Sequence, residues 1–121
     1  MNIVTKFLTY QNQVKILHWQ TTSYSEHKSL GDLYDSLSDN IDEFIETFMG
    51  KYGRIMAQNS FNLTLENYKN LVPLTLMTEI ETYLVTELPT MLDPVKDTDL
   101  LNIRDEILGS VNKTKYLLTL R

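Results

Sequence analysis

The stretch SYSEHKSLGDLYDSLSDNIDEFIETFMGKYG at residues 23–53 decides the fold of this chain. Its apolar residues recur at steps of three and four positions, the spacing that places side chains on one face of a helix. Ser23 and Glu26 fit a capping box, in which the two side chains satisfy main-chain N–H groups at a helix start. Gly50 and Gly53 supply a stop. The stretch therefore predicts a long amphipathic helix, called helix B here, that begins just after Ser23.

A shorter helix precedes helix B, and a long connection follows it. Asn2 is a suitable cap for helix A, whose apolar positions repeat at helical spacing as far as about Gln20. Residues 54–71 are rich in Asn, Ser and Thr and show no sustained period, which indicates a crossover segment. Within it, residues 64–68 could form a short capped helical turn.

Two more helices complete the predicted fold. Pro73 suits the first turn of helix C, whose apolar steps continue to Met91, with Pro89 kinking or ending the helix. Asp97 or Thr98 caps a last amphipathic helix that runs to the C-terminus. Four helices with a short first link and a long second link predict an all-α fold, a ferritin-like four-helix bundle with a long crossover between helices B and C.

Composition sets limits on size and chemistry. At 121 residues, 42% hydrophobic and 22% charged, the chain predicts one globular domain spanning residues 1–121. The absence of cysteine excludes disulfides, thiolate metal sites and thiol nucleophiles. A net charge of −5, with basic residues scattered along the chain, argues against nucleic-acid binding. No apolar run has the length of a membrane span and no signal peptide is recognisable at the N-terminus, so we expect a cytoplasmic protein.

Four residues around the first turn and helix B are candidate metal ligands. His18 lies near the end of helix A and His27 near the start of helix B, while Asp42 and Glu46 are one turn apart on helix B. Each also has a simpler interpretation. A histidine at a helix end often caps carbonyl groups or lies at the surface, and a pair of acids is often a solvated face.

Helix geometry prevents the four residues from meeting within one chain. His27 and Asp42 point within roughly 60° of each other but lie about 22 Å apart along the helix axis. If helix B packs antiparallel against its copy near Tyr34 and Asp35, His27 of each chain meets Asp42 of the other. The pattern thus predicts a homodimer across helix B with two equivalent sites, and Gly31 and Ser38 would let the two helices approach closely.

The order of His18-Trp19, His27 and the Asp42-x-x-x-Glu46 pair resembles the Dps-like mini-ferritins of the ferritin-like superfamily. The resemblance implies an inter-subunit ferroxidase site, with His18 and His27 from one chain and Asp42 and Glu46 from its neighbour, and possible assembly into a larger shell. Gly31 stands where a further Asp ligand is often found. The stretch LHWQTTSYSEHKSLG also resembles small uncharacterised ferritin-like proteins of tailed-phage and other viral genomes.

Two functions are therefore expected. The first is an iron-binding enzyme that oxidises Fe(II) with peroxide or dioxygen; Zn and Mn suit the same ligands, and iron is what the resemblance implies. The second is a non-catalytic helical oligomer, possibly viral, with a structural metal or no metal at the same interface.

Overall fold

The computed structural model describes residues 2–120, and every regular element in that range is helical. The α-helices are α1 (Ile3–Gln20), α2 (Tyr24–Tyr52), α3 (Pro73–Thr82) and α4 (Thr98–Leu117). The prediction of an all-α fold with four helices is confirmed. None of these helices has the length and apolar character that crossing a bilayer requires. Met1 and Arg121, the ends of the predicted domain and of the predicted last helix, lie outside the described residues.

The four helices surround one hydrophobic core. Helix α1 packs against α2 and α3, and α4 packs against the same two helices, so the contacts run around a closed ring. The Phe7 and Phe44 rings meet edge to face at the α1–α2 contact, with centroids 5.2 Å apart. The largest side chains that are completely enclosed come from all four helices and the turn after α3: Phe7, Leu17, Leu30, Leu37, Phe44, Leu76, Met77, Ile80, Leu84, Leu88, Leu100 and Ile107.

The first two helices begin and end largely as predicted. The Asn2 side chain accepts a hydrogen bond from the Thr5 N–H group at 2.9 Å, and Ser23 Oγ accepts one from the Glu26 N–H group at 3.3 Å. Helix α2 ends at Tyr52, and Gly53 follows with a positive φ of 89°. A left-handed backbone at this position favours glycine, which explains why the second of the two predicted stops is the one used.

The Glu26 side chain departs from the predicted capping box. Its carboxylate does not return to the Ser23 N–H group, and instead accepts hydrogen bonds from the hydroxyl groups of Thr21 and Tyr68, each at 2.7 Å. The Ser23 N–H group is satisfied by Thr21 Oγ1 at 3.1 Å. Because Tyr68 belongs to the crossover, Glu26 connects the start of α2 to that distant segment.

The crossover between α2 and α3 lies along α1 without regular structure. Gln13, only 1% exposed, donates to the Glu66 carbonyl at 2.8 Å and accepts from the Glu66 N–H group at 2.7 Å. About two turns later, Gln20 binds the Tyr68 N–H group and the Asn67 side chain. The helical turn predicted at residues 64–68 is wrong, because these glutamines take the main-chain groups that a helix would pair internally. A tight turn follows at residues 67–71 instead.

Helix α3 is shorter than the predicted helix C. After Thr82 it widens into a π-turn, Tyr83–Glu87, and then tightens into a 3₁₀ turn, Leu88–Met91. The Leu88 N–H group donates to the Tyr83 carbonyl rather than to that of Leu84. In a π-turn the next N–H donor for the Leu84 carbonyl would come from residue 89. Because Pro89 has no N–H group, that carbonyl has no partner within the helix. Arg104 of α4 fills this role with a 2.9 Å hydrogen bond. The helical turns end at Met91, where the predicted apolar steps end, but the α-helix itself ends at Thr82, seven residues before the predicted break at Pro89.

Asp97 occupies the predicted cap position of α4 but does not cap the helix. Its carboxylate is 1% exposed and accepts hydrogen bonds from the Tyr52 hydroxyl at 2.5 Å and the Asp93 N–H group at 2.7 Å, with the Lys51 ammonium at 3.0 Å. These donors, Tyr52 foremost, lower the pKa of Asp97 to about 2. Asp97 thus joins the end of α2 to the start of α4.

Candidate metal centre

His18 and His27 lie face to face across the turn between α1 and α2. Their imidazole rings are stacked with centroids 3.8 Å apart and planes inclined by 16°. His18 Nδ1 is 2.6 Å from the His27 carbonyl oxygen, and His27 Nδ1 is 2.8 Å from the His18 carbonyl oxygen. Each ring therefore binds the main chain of the other residue. The His18 carbonyl is one of the last four of α1, so the simpler interpretation of a helix-end histidine as a carbonyl cap applies to His27.

The reciprocal hydrogen bonds define how each imidazole is protonated. A carbonyl oxygen can only accept, so both Nδ1 atoms must carry a hydrogen. In a neutral imidazole the lone pair then belongs to Nε2, the atom that binds metals in this tautomer. Within residues 2–120, neither Nε2 atom makes a hydrogen bond. Capping and metal binding thus use opposite nitrogens of the same rings and are compatible.

Gly31 makes room for the His18 ring. A Cβ atom built on Gly31 would lie 2.9 Å from His18 Cε1 and 3.2 Å from His18 Nδ1, closer than real Cβ contacts. The sequence interpretation assigned the small size of Gly31 to the approach of a second copy of helix B. In the structure its missing side chain is used within the chain, to seat an imidazole against α2.

Asp42 and Glu46 form a separate acidic pair farther along α2. Both side chains are exposed, and the pKa of Glu46 is raised by a hydrogen bond to the Asp42 carboxyl and by its negative charge. The two acids and the two histidines are not brought together within the chain. Among residues 2–120, no group of three or more histidine, aspartate and glutamate side chains could hold a metal ion.

The two pairs nevertheless share one face of the α1–α2 hairpin. Between the helices a groove of about 340 Å³ is lined on one side by Val4, Leu8 and Gln11, and on the other by Ser38, Asp42 and Ile45 among others. Toward the turn, Lys15 continues the α1 side of the groove, and its ammonium lies 4.4 Å from the centre of the Tyr34 ring. His18 is the next position along that side of α1. The histidines and the acids thus occupy opposite ends of a continuous surface.

Aromatic side chains around the histidines are exposed. Trp19 is 65% exposed and Tyr24 is 79% exposed, with the Tyr24 ring 6.3 Å from that of His27. This exposure excludes Trp19 from the core of the chain. Large exposed aromatic side chains are more typical of surfaces that contact a partner.

Residues 18–118 match the model of a protein family described as a family of unknown function, DUF5856. The chain belongs to this family. The DUF5856 match begins at His18 and includes every candidate ligand as well as the π-turn. Comparison with curated proteins gave no match, and neither did comparison with solved structures.

Proposed function

We propose that this DUF5856 protein is a Dps-like mini-ferritin with a ferritin-like bundle, which binds and oxidises Fe(II) at sites shared between two copies of the chain. His18 and His27 of one copy and Asp42 and Glu46 of the other hold the metal. The observation that carries the proposal is the histidine pair, in which both Nδ1 atoms are bound to main-chain carbonyls and both Nε2 atoms are left as ligands.

The arrangement of α2 supports sharing between copies. This helix is regular from Tyr24 to Tyr52, so His27 and Asp42 are about 22 Å apart along it. Metal–ligand bonds of about 2.0–2.2 Å cannot span that distance within one chain. A two-fold axis near Tyr34 would superpose the histidine end of one hairpin on the acidic end of the other. It would also cover the groove between α1 and α2 and bring the exposed Trp19 side chain to an interface.

The four side chains are suited to hold a divalent cation that is also the substrate of the reaction. Imidazole nitrogen and carboxylate oxygen bind Fe, Mn and Zn alike, and the choice of iron rests on the resemblance to mini-ferritins. Bound Fe(II) would supply the electron that passes to peroxide or dioxygen. The main-chain hydrogen bonds fix both imidazoles in orientation before the metal arrives. Because the pKa of Glu46 is raised, this carboxyl keeps its proton to a higher pH than an ordinary glutamate, and metal binding would have to displace that proton.

The second candidate function is a non-catalytic helical oligomer. The same two histidines favour it because their hydrogen bonds join α1 to α2. Each ring ties α1 to α2 through a main-chain hydrogen bond, a purely structural role that needs no metal. In that case the α1–α2 surface would still form the contact between copies, with a structural metal or none.

Anaerobic addition of Fe(II), followed by oxygen or peroxide, separates the two candidates. The wild type should develop ferric absorbance faster than buffer, and His27→Ala and Asp42→Ala should not. Glu43→Ala is the matched control, because this exposed acid lies next to Asp42 but a hundred degrees around the helix. A wild-type rate equal to that of buffer would contradict the enzyme and leave the structural oligomer.

Mixing two inactive variants tests whether the site is shared. A His18→Ala/His27→Ala chain and an Asp42→Ala/Glu46→Ala chain are co-refolded in equal amounts. Half of the dimers formed at random contain one of each, and each such dimer has one intact site, so about one quarter of the wild-type sites should return. A mixture as inactive as its components would refute the shared site. A chain that is monomeric at micromolar concentration by light scattering would do the same.

A further inference from the structure

A second groove lies on the other side of α1, against α3 and the π-turn. It has a volume of about 550 Å³, and its polar lining includes Lys6, Tyr10, Thr78, Glu79, Tyr83 and Glu87. Lys6 and Tyr10 are one turn apart on a side of α1 different from the stripe of Val4, Leu8 and Gln11 that meets α2. The groove is therefore independent of the histidines and of the surface proposed to join two copies.

Tyr83 lines this groove and carries a buried hydroxyl group without a hydrogen-bond partner. The residue is 4% exposed, with its ring held edge to face by Phe7 and Tyr10 at centroid distances of 6.1 and 5.7 Å. Its hydroxyl is the only buried side-chain polar atom within residues 2–120 that makes no hydrogen bond. Burial is the main cause that raises the pKa of Tyr83, and the nearby charges of Tyr10 and Glu87 raise this pKa further. Tyr10 and Glu87 line the groove together with Tyr83.

The charges around the hydroxyl group are predominantly negative. Burial and the nearby carboxylates of Glu79 and Glu87 raise the pKa of Tyr10 to about 12, so both acids act on the same point. Within residues 2–120, neither carboxylate forms a salt bridge or a side-chain hydrogen bond, unlike Glu81 on the same helix, which pairs with Lys115. The Lys6 ammonium lies 5.7 Å from the centre of the Tyr10 ring and 5.4 Å from that of Tyr83. An ammonium group of the chain itself is thus already accommodated on these rings.

We propose that the groove between α1 and the α3–π-turn segment binds a primary alkylammonium group, carried by a small aliphatic amine. Such a group has three N–H donors and no acceptor, and the groove offers the Tyr83 oxygen and two carboxylates as acceptors. One positive charge also balances the two glutamates and Lys6. Two carboxylates and one hydroxyl group supply fewer protein oxygen atoms than the about six to eight ligands that Ca²⁺ takes. The tyrosine rings contribute an apolar wall for the alkyl chain.

The experiment is a calorimetric titration of the full chain with n-butylamine and 1,4-diaminobutane at neutral pH. Both should bind, and tetramethylammonium, a cation without N–H donors, should not. Tyr83→Phe should weaken binding about tenfold, since it removes one charge-assisted hydrogen bond while keeping the ring. Glu79→Gln/Glu87→Gln should abolish binding. Glu106→Gln, an exposed site on α4 with the same change of charge, is the control and should bind as the wild type does.

Three results of the amine titrations would overturn the proposal. They are the absence of amine binding, equal binding by wild type and Tyr83→Phe, and tetramethylammonium binding as tightly as butylamine. Mg²⁺ displacing the amine at micromolar concentration would also overturn it, because a metal site would then be present. A further arm with Nα-acetyl-lysine amide identifies the source of the group. Weaker binding than n-butylamine, which carries the same single charge, supports a free amine, and tighter binding would overturn the small ligand in favour of a lysine side chain. Circular dichroism verifies that every variant is folded.

Discussion

Replacement of Gly31 by alanine tests the packing that holds the histidine pair. Alanine in a helix interior is about 0.8–1.0 kcal/mol more favourable than glycine, so the change would stabilise α2 if nothing lay nearby. A Cβ atom at this position, however, comes within 2.9 Å of His18 Cε1. The ring must move, which costs its hydrogen bond to His27, about 0.5–1.5 kcal/mol, and about 1–3 kcal/mol of overpacking. The costs outweigh the gain, and we expect Gly31→Ala to lower the free energy of unfolding by about 2 kcal/mol.

Gly109 of α4 provides the matched control. It also lies in a helix, and a Cβ atom there meets nothing within 4 Å, so Gly109→Ala should raise the free energy of unfolding by about 1 kcal/mol. Urea unfolding followed by far-ultraviolet circular dichroism measures both changes. In a His18→Ala background the cost at Gly31 should disappear, and the alanine should become stabilising. If Gly31→Ala stabilises the wild-type chain as much as Gly109→Ala does, the contact with His18 is refuted.

Three further predictions concern the rest of the chain. The pKa of Asp97 is about 2, below its unfolded value of about 3.9, so its contribution to stability is complete above pH 4 and lost as pH falls toward 2; urea midpoints across this range should fall less for Asp97→Asn than for wild type, and parallel curves would contradict this. Gln13→Ala leaves both main-chain groups of Glu66 without their side-chain partner; limited proteolysis should cut the crossover faster, whereas an unchanged rate would show that other contacts hold it. Without an added amine, Tyr83→Phe should leave the free energy of unfolding unchanged or raise it by up to about 1 kcal/mol, because it removes a buried hydroxyl that lacks a partner; a clear loss in thermal unfolding would indicate a hydrogen bond.

The helices could be predicted because their signals are local. The apolar period of α2, the Ser23 cap and the Gly53 stop each depend on neighbours within a few residues. Glu26 was misassigned because its partners, Thr21 and Tyr68, compete with the local capping box, and Tyr68 is 42 positions away. A sequence pattern alone has no means of ranking a distant partner against a near one.

The candidate site was predictable in composition but not in arrangement. The spacing of His18 and His27 indicated that both flank the first turn, yet their reciprocal main-chain hydrogen bonds depend on the path of that turn. A glycine one turn after His27 was the available signal for the seat of the His18 ring. Tyr83 carried no signal of its own, because a tyrosine at helical spacing is interpreted as a core residue. It lines the groove as part of the π-turn, whose form the sequence did not predict.

The hydrogen bond between Arg104 and the Leu84 carbonyl makes the end of the third helix dependent on the fourth. A peptide ending before residue 98 would have to leave that carbonyl to water, and its winding past Thr82 would lose a supporting partner. The last two helices therefore depend on each other for their structure and do not form as two independent helices. Amide exchange in residues 83–91 should consequently keep pace with that of α4. A nascent chain would complete this turn only after the first two turns of the fourth helix, which contain Arg104, had been synthesised.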